Sequence, residues 1–477
     1  MAGGRGLIIL VMTRTQQAPG SKPEQPPKSP PFVQGSILKH LVVLTFASAM
    51  GLLGNFIVDF VDIYFITLLG DDARTSAVGV GSTLTYFVLS LSVAVGITIS
   101  VLVSRAMGAG ETHRVKQLFT SILTFGLIIS VSAALVFILL SGPLVRLLGT
   151  EGTTAQIAAH YMRLTLPGFP FMGLVMWGLF AMRLQGFIRL GLYLTLSVSV
   201  INAILDPIFI FVFDWKVTGA ALASTIARIV GGTLAFVWIW TKSGWLQVPS
   251  LAGLRRDLPQ ILKFYLPAVV TNLSTPIGTS IAIAAVVSYG ESALAGASVV
   301  AKMIPVLFAF VLSLSGSVGP VVGQNFGARQ MERVRESLLM GGVIVLCYTL
   351  PVGLLTFLLQ GQLVQWFGLS GEGEVVLRYF AGFLVFMNGL AGLLFVANSV
   401  FNNLGYPLIS TGNNLFRDVV LMFPLTWAFA QAMGAKGALL GQQIATLSVA
   451  VLAFVGAIWL VGRVVKAQET AATTKQS

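Results

Sequence analysis

Charged residues are scarce in this sequence, and their scarcity decides its class. Only 10% of the 477 residues are Asp, Glu, Lys or Arg, whereas 56% are hydrophobic and the mean hydropathy is +0.88. Soluble domains carry roughly 25% charged residues, so this chain has too few polar side chains to cover a water-exposed globule. The single cysteine, Cys347, excludes a disulfide-stapled secreted fold. The composition indicates an integral membrane protein that crosses the bilayer many times.

Patterns for catalysis and cofactor binding are also missing. The three histidines, His40, His113 and His160, are too scattered for a metal site. No phosphate-binding loop of the type GxxxxGK followed by Ser or Thr occurs, which argues against ATP-driven transport. The net charge of +12 is spread over short loops, so a nucleic-acid partner is not expected. The sequence predicts neither an enzyme nor a bound cofactor.

Apolar runs long enough to cross a hydrocarbon core follow one another along the chain, and each crossing takes about 20 residues. We expect an all-α integral membrane fold with about twelve transmembrane helices. The first six runs are 38–69, 78–106, 115–140, 157–182, 190–213 and 217–241. The second six are 258–289, 293–322, 337–359, 375–401, 408–433 and 435–461.

The basic residues predict the orientation. If both termini are cytoplasmic, most of the 29 Lys and Arg residues, Arg183 and Arg189 among them, fall in inner segments, as the positive-inside rule requires. We therefore expect a multi-pass protein of the inner (plasma) membrane, surrounded by lipid and acting as a monomer. The Pro-rich stretch 20–31 lies in an N-terminal segment that we expect to be disordered.

The chain partly matches itself when it is shifted by about 219 residues, which indicates an internal repeat. The segment GAGETHRVK at 108–116 aligns with GARQMERVR at 327–335, and such matches in polar loops are harder to explain by chance than matches between apolar helices. Each half has six crossings, so the halves keep one orientation and should form two pseudo-symmetric six-helix bundles around a central cleft. The expected divisions are an N-terminal tail 1–36, an N-lobe bundle 37–242, a cytoplasmic linker 243–257, a C-lobe bundle 258–463 and a C-terminal tail 464–477.

Ionisable residues inside membrane spans are costly and usually mark an ion or substrate pathway. With a rise of about 1.5 Å per residue, Asp62, Asp206 and Ser224 each fall roughly 10 Å below the outer end of their run. Asn202 and Asp59 lie one turn away from Asp206 and Asp62. These five residues form a candidate cation-binding or proton-binding site in the N-lobe.

Carboxylates drawn together in a dehydrated pocket cannot both stay ionised without cost, so H⁺ or Na⁺ is expected to bind between them. The second half has no equivalent acids in its helices 7, 8 and 10. Alternatives remain open for several charges. Asp59 could form a structural ion pair with Arg228, and Lys302 could either touch the cleft or snorkel towards the headgroups. Arg417 and Asp418 could neutralise each other or face cytoplasmic water.

Several segments, in their order and spacing, resemble the multidrug and toxic compound extrusion (MATE) transporters. They are FVDIYF at 60–65 with Leu69-Gly70, GIT at 96–98, SRAMGAG at 104–110, NAILDP at 202–207 and GAALAS at 219–224. The resemblance runs from about residue 38 to 461 and implies two six-helix bundles that form a V around a central cavity. It also implies that Asp62, Asn202, Asp206 and Ser224 occupy the N-lobe cation positions of the family.

Within that family the chain looks like the branch related to the DNA-damage-inducible protein F. Two positions depart from the usual pattern. Ala47 stands near the place of an early proline in the first helix, and residues 180–181 are apolar where some relatives have an asparagine. The first departure puts proline-dependent bending of that helix in doubt, and the second implies a cation site with fewer polar ligands.

The resemblance and the residues together favour a secondary antiporter. We expect it to export amphipathic or cationic organic compounds, as in multidrug efflux, in exchange for H⁺ or Na⁺ bound in the N-lobe. The alternative is a lipid-linked saccharide flippase of the same broad superfamily, which often has more crossings and a cavity rich in basic residues.

Overall fold

The computed structural model describes residues 30–67 and 72–474, without the side chains of residues 59–60, 62–64, 66–67, 72–75 and 467–474. Every regular element in these ranges is helical. We number the long helices 1 to 12 in chain order. The first six are Ile37–Thr67, Asp72–Gly108, Thr112–Leu139, Gly152–Leu184, Ile188–Val212 and Lys216–Thr241.

The second half repeats this arrangement. Helix 8 consists of two segments, Glu291–Leu307 and Ala309–Gly327, with a bend of 45° between them. The other helices of this half are helix 7 (Leu251–Val287), helix 9 (Met331–Leu358), helix 10 (Glu372–Leu404), helix 11 (407–433) and helix 12 (Ala435–Thr474). Short helices, Ser141–Leu147 and Gln360–Trp366, follow helices 3 and 9.

The predicted all-α membrane fold is confirmed. Within the described ranges ten helices are long and apolar enough to cross a membrane, and the bent helix 8 is an eleventh. Helix 11 is a further continuous helical stretch, formed by Pro407–Leu415, a π-helical turn Phe416–Leu421 and Met422–Met433. Its length is sufficient for a crossing at about 1.5 Å per residue.

The internal repeat is visible in the helix boundaries. Helices 3 and 9 have 28 residues each, and the short helices that follow them have 7 residues each. Helices 4 and 10 both end before a glycine in the left-handed region, Gly186 with φ of 80° and Gly405 with φ of 96°. Only glycine adopts this conformation without strain, so the two halves of the chain turn in the same way at equivalent points. The predicted pseudo-symmetry of the two bundles is therefore confirmed.

The two lobes meet where helices 2 and 8 cross, and small residues recur there at every fourth position. In a membrane, such residues let helix backbones approach closely and replace the hydrophobic effect as the source of association. On helix 2 they are Ser100, Ser104 and Gly108, and on helix 8 they are the repeat-equivalent Gly319, Gly323 and Gly327.

The contact at the last of these positions is backbone against backbone. A Cβ atom on Gly108 would overlap the carbonyl oxygen of Gln324, and a Cβ atom on Gly327 would overlap the carbonyl oxygen of Arg105. Gln324 and Arg105 are themselves repeat equivalents. The two lobes therefore touch through two equivalent contacts, Gly108 against Gln324 and Gly327 against Arg105, which the internal repeat relates to each other.

Paired hydrogen bonds reinforce this crossing. Arg105 Nε donates to the carbonyl of Asn403 at 2.8 Å, and Gln324 Nε2 donates to the carbonyl of Leu184 at 2.9 Å. Asn403 and Leu184 occupy equivalent positions in helices 10 and 4, so the two bonds are also related by the repeat. Each bond joins one lobe to the other, and together they close the cleft at the end where helices 2 and 8 finish.

The residues that precede helix 1 also contribute to this closed end. Phe32 is 2% exposed, and its backbone N–H donates to Gln324 Oε1 at 3.1 Å. Its carbonyl accepts hydrogen bonds from Asn325 Nδ2 at 3.0 Å and Arg333 Nη2 at 3.2 Å. Phe32 of the expected tail thus packs on helices 8 and 9, whereas residues 1–29 and 475–477 lie outside the described part of the chain.

The first helix of each half begins in the opposite lobe. Ile37, Leu41 and Leu44 of helix 1 are fully buried in the hydrophobic core of the C-lobe. Ile261 and Phe264 of helix 7 are buried in the core of the N-lobe. Further along, both helices return to their own halves, where helix 1 packs on helix 5 and helix 7 packs on helix 11. The two bundles therefore exchange the first turns of their first helices.

The glycine contact between the lobes yields a testable expectation. The double substitution Gly108→Ala, Gly327→Ala puts methyl groups into backbone oxygens, and overpacking of this kind costs about 1–3 kcal/mol per site. We expect the midpoint of thermal unfolding in detergent to fall by several degrees.

The matched control is Gly412→Ala, Gly462→Ala, because no atom lies within 4 Å of a Cβ atom at either position. Since alanine is favoured over glycine in a helix by about 1 kcal/mol, the control should melt at or above the wild-type temperature. Equal melting of the two double variants would contradict the proposed importance of the contact.

Candidate functional site

Three of the five predicted site residues come together between helices 5 and 6. Asn202 Nδ2 donates a hydrogen bond to Asp206 Oδ2 at 2.6 Å, and Ser224 Oγ donates to Asn202 Oδ1 at 3.2 Å. Asp206 is fully buried, and Asn202 and Ser224 are each 8% exposed. A carboxyl group, a carboxamide and a hydroxyl are thus connected in sequence inside the N-lobe.

The local backbone explains how these residues meet. Asn202 and Asp206 are one turn apart on helix 5 and therefore share a face. Pro207 follows at once, and the helix continues as a π-helical segment, Ile208–Val212, an irregularity frequent at functional sites. A Cβ atom on Gly219 would lie 2.6 Å from the carbonyl oxygen of Phe209, so glycine allows helix 6 to approach this segment closely. That approach brings Ser224 to Asn202.

The two remaining predicted residues, Asp59 and Asp62, belong to helix 1, but their side chains lie outside the described residues. One contact on the same helix is described. Ser199 Oγ of helix 5 donates to Asn55 Oδ1 of helix 1 at 3.0 Å. Asn55 stands one turn before position 59, and Ser199 stands about one turn before Asn202, so helices 1 and 5 are joined next to the predicted site.

Asn55 and Ser199 were not singled out from the sequence. A signal was nevertheless present, because positions 55, 59 and 62 repeat with a helical period, as do 199, 202 and 206. Ionisable residues and their nearest polar neighbours alone predict a site that ends one turn short of Asn55 on helix 1 and of Ser199 on helix 5.

The other predicted charges occupy separate environments. Arg228 is half-buried one turn from Ser224, and its guanidinium lies over the ring of Phe169 at 4.7 Å. The predicted ion pair of Arg228 involves the side chain of Asp59, which is not among those described. Lys302 is exposed on the first segment of helix 8 and does not line the central cavity in the described part of the chain.

A cavity of about 360 Å³ lies between the lobes. Helices 1, 2, 4 and 5 of the N-lobe and helix 8 of the C-lobe form its wall, which is mostly apolar. Volumes of this size suit drug-sized ligands. The polar and charged side chains that the described lining contributes are Ser48, Asn55, Arg183, Thr195, Ser313 and Ser315.

Arg417 and Asp418 form a buried ion pair in the C-lobe. Arg417 Nε and Nη2 donate to the two carboxylate oxygens of Asp418 at 2.7 and 2.8 Å, and Ser274 Oγ of helix 7 donates to Asp418 Oδ2 at 2.9 Å. The two side chains are 7% and 2% exposed. They neutralise each other, which is the first of the two alternatives considered from the sequence.

The family model described as MatE matches the chain twice, over residues 47–208 and 267–428. The chain belongs to the MatE family. The two matched ranges lie in the two halves related by the repeat. Family membership makes the chain a membrane transporter and not an enzyme, as the sequence predicted.

Relatives of this MatE protein carry different names. A protein of Shewanella oneidensis named FAD transporter is 28% identical over 423 residues, which cover 87% of this chain and 92% of that protein. The multidrug export protein MepA of Staphylococcus saprophyticus is 25% identical over 319 residues, 66% of this chain and 70% of that protein.

Solved structures agree with the fold. The Vibrio cholerae MATE transporter VcmN in the bent form aligns with a TM-score of 0.83 at 26% identity, covering 90% of this chain and 98% of that one. A multidrug resistance MATE family transporter in an outward-facing conformation aligns with a TM-score of 0.87 at 20% identity, covering 93% of this chain and 100% of that one, and shows the fold alone.

The C-lobe ion pair of this MatE transporter leads to a double-mutant test. Asp418→Asn leaves the buried guanidinium of Arg417 without its anion, and breaking a buried pair costs about 3–5 kcal/mol. We expect a clear drop in the thermal midpoint in detergent. The double variant Arg417→Met, Asp418→Asn removes both charges and should recover most of that loss. A double variant as unstable as the single one would contradict a purely structural pair.

Proposed function

We propose that this MatE transporter is a secondary antiporter that exports amphipathic organic compounds in exchange for H⁺ or Na⁺ bound in the N-lobe. The observation that carries the proposal is the buried hydrogen-bonded chain from Ser224 through Asn202 to Asp206. A fully buried carboxyl group needs either a proton or a cation to offset its charge away from water. Ionisable residues inside membrane spans usually mark sites where an ion is bound and released.

The geometry of helix 5 supports coupling between ion and substrate. Thr195 and Val198 on this helix line the central cavity, and Asn202 and Asp206 follow within the next turns. The bond from Ser199 to Asn55, which also lines the cavity, links the same region to helix 1. An ion bound at Asp206 therefore acts on helices that also contact the substrate.

The exchange cycle follows from this arrangement. The contacts of Gly108 and Gly327 close one end of the cleft, and with cytoplasmic termini that end is the cytoplasmic one. Ions from outside bind at Asp206, favour release of the substrate outward, and leave to the cytoplasm after the lobes have changed position. Because a ligand shifts two states only by its differential affinity, the surroundings of Asp206 must differ between the two states.

The substrate class is supported by the wall of the cavity. Met172, Met176 and Phe180 contribute flexible or flat apolar surface suited to amphipathic compounds, including cationic ones. The flippase alternative leads to a cavity rich in basic residues, whereas Arg183 is the one basic side chain in the described lining. We therefore favour efflux of small organic compounds by a monomer in the inner membrane.

The role of Asp206 is tested by Asp206→Asn, which removes the charge and keeps the shape. We expect dye efflux from proteoliposomes under an imposed proton or sodium gradient to fall to background, while purification yield and monodispersity stay normal. Asp214→Asn is the control, because Asp214 is exposed and pairs only with Lys216 at 3.7 Å among the described residues. Undiminished efflux by Asp206→Asn would remove the coupling role.

The neighbours of Asp206 should show graded effects. Asn202→Ala removes a donor to a buried carboxyl group, a hydrogen bond of about 1.5–3 kcal/mol when the acceptor is charged, and Ser224→Ala removes a neutral bond of about 1 kcal/mol. The half-saturating concentration of the coupling ion should therefore change more in Asn202→Ala than in Ser224→Ala. If the ion is H⁺, that concentration should fall, because the lost hydrogen bond favours the ionised carboxylate. Effects in the reverse order would exclude the hydrogen-bonded chain as the ion site.

A further inference from the structure

Arg183 is a charged side chain in the central cavity that the ion site does not use. It is the last but one residue of helix 4, and it is half-buried. Its guanidinium lies over the ring of Phe180 at 5.6 Å. No hydrogen bond and no ion pair joins it to any other residue in the described part of the chain, although Arg183 lines the cavity.

The direction of this side chain is unusual for an arginine near a helix end. Such residues normally snorkel towards the nearest water. Arg183 instead reaches across to helix 8, where a Cβ atom on Gly316 would lie 2.8 Å from its Nη1 atom. Gly316 stands about 16 Å along helix 8 from the closed end at Gly327, at 1.5 Å per residue. The guanidinium therefore lies inside the protein and not at the closed surface.

The backbone accounts for this direction. Cβ atoms of a helix tilt towards its N-terminus, and helix 4 runs towards the closed end. The side chain of Arg183 thus starts towards the cavity. Gly316 has no side chain, and this leaves the space into which the guanidinium extends. Both helices contribute to holding a positive charge in the wall of the cavity.

A half-buried guanidinium without a carboxylate partner in a mostly apolar wall is a site at which an anion offsets the charge. Its planar fork matches the two oxygens of a carboxylate or phosphate. We propose that Arg183 binds the anionic group, phosphate or carboxylate, of an amphipathic substrate whose apolar body lies against Phe180 and Met176. This assignment deepens the proposed export function and rests on it for its physiological meaning.

Three flavins that share one fluorescent ring test the assignment by direct binding. Riboflavin is neutral, flavin mononucleotide carries a phosphate, and 10-carboxymethylflavin carries a carboxylate. We expect the purified wild-type protein to bind at least one of the two anionic flavins about tenfold more tightly than riboflavin, the gain typical of a charge-assisted hydrogen bond. Which of the two binds more tightly identifies phosphate or carboxylate as the preferred group.

The variants locate the effect. Arg183→Gln should abolish the preference for the anionic flavin and leave riboflavin binding unchanged, and Arg183→Lys should retain part of it. Arg189→Gln is the matched control, because Arg189 is exposed near the same end of the N-lobe. Gly316→Ala keeps the charge but displaces the guanidinium, so it should weaken anionic flavin binding without changing riboflavin binding. If Arg183→Gln does not fold, Gly316→Ala replaces it as the test variant.

The assignment is overturned if the wild type binds neither anionic flavin, if it binds all three equally, or if the preference survives in Arg183→Gln. With Arg183→Gln unfolded, full retention of the preference in both Arg183→Lys and Gly316→Ala overturns it as well. The proposed function is tested separately by gradient-driven ethidium efflux. Efflux without any anion preference removes only the role of Arg183, and an anion preference without efflux removes only the antiport.

Discussion

The close contact between helices 2 and 8 is the constraint on which the rest of the structure depends. Lipid tails are as apolar as leucine, so no hydrophobic force holds two bundles together inside a bilayer. Association here relies on glycine and serine, which let backbones touch, and on the bonds of Arg105 and Gln324 across the seam. Because this contact is confined to one end, the lobes are closed there and a cavity remains above it.

The cavity and the proposed ion site share consecutive turns of one helix. Thr195 faces the cavity, Ser199 bonds to helix 1, and Asn202 and Asp206 form the buried polar chain. Because one helix carries both the cavity lining and the buried polar chain, no long network of residues is needed to couple them. The π-helical turn after Pro207 is the irregular part of this helix, and it directly follows Asp206 of the proposed ion site.

Much of this could be predicted from the sequence, because hydropathy and helical rise act locally. Run lengths predicted the crossings and the repeat predicted two bundles. Counting residues from helix ends placed Asp206 and Ser224 at one level, with Asn202 one turn away on the same face as Asp206. The bend in helix 8 and the direction of Arg183 could not be predicted in this way. The position of Arg183 in the chain predicts an inner segment, whereas the direction of its side chain depends on the space at Gly316, which is a tertiary property.

The exchange of first helices between the halves has a consequence for how such a chain could have arisen. If a single half once existed as its own polypeptide with this packing, it would have formed a two-fold dimer. The first turns of the first helix of each subunit would have been buried in the core of the other subunit. Dissociation of that dimer would have exposed apolar core residues in both subunits. Fusion of the two copies would then have preserved an interlocked dimer as one continuous chain, already symmetric and already inseparable.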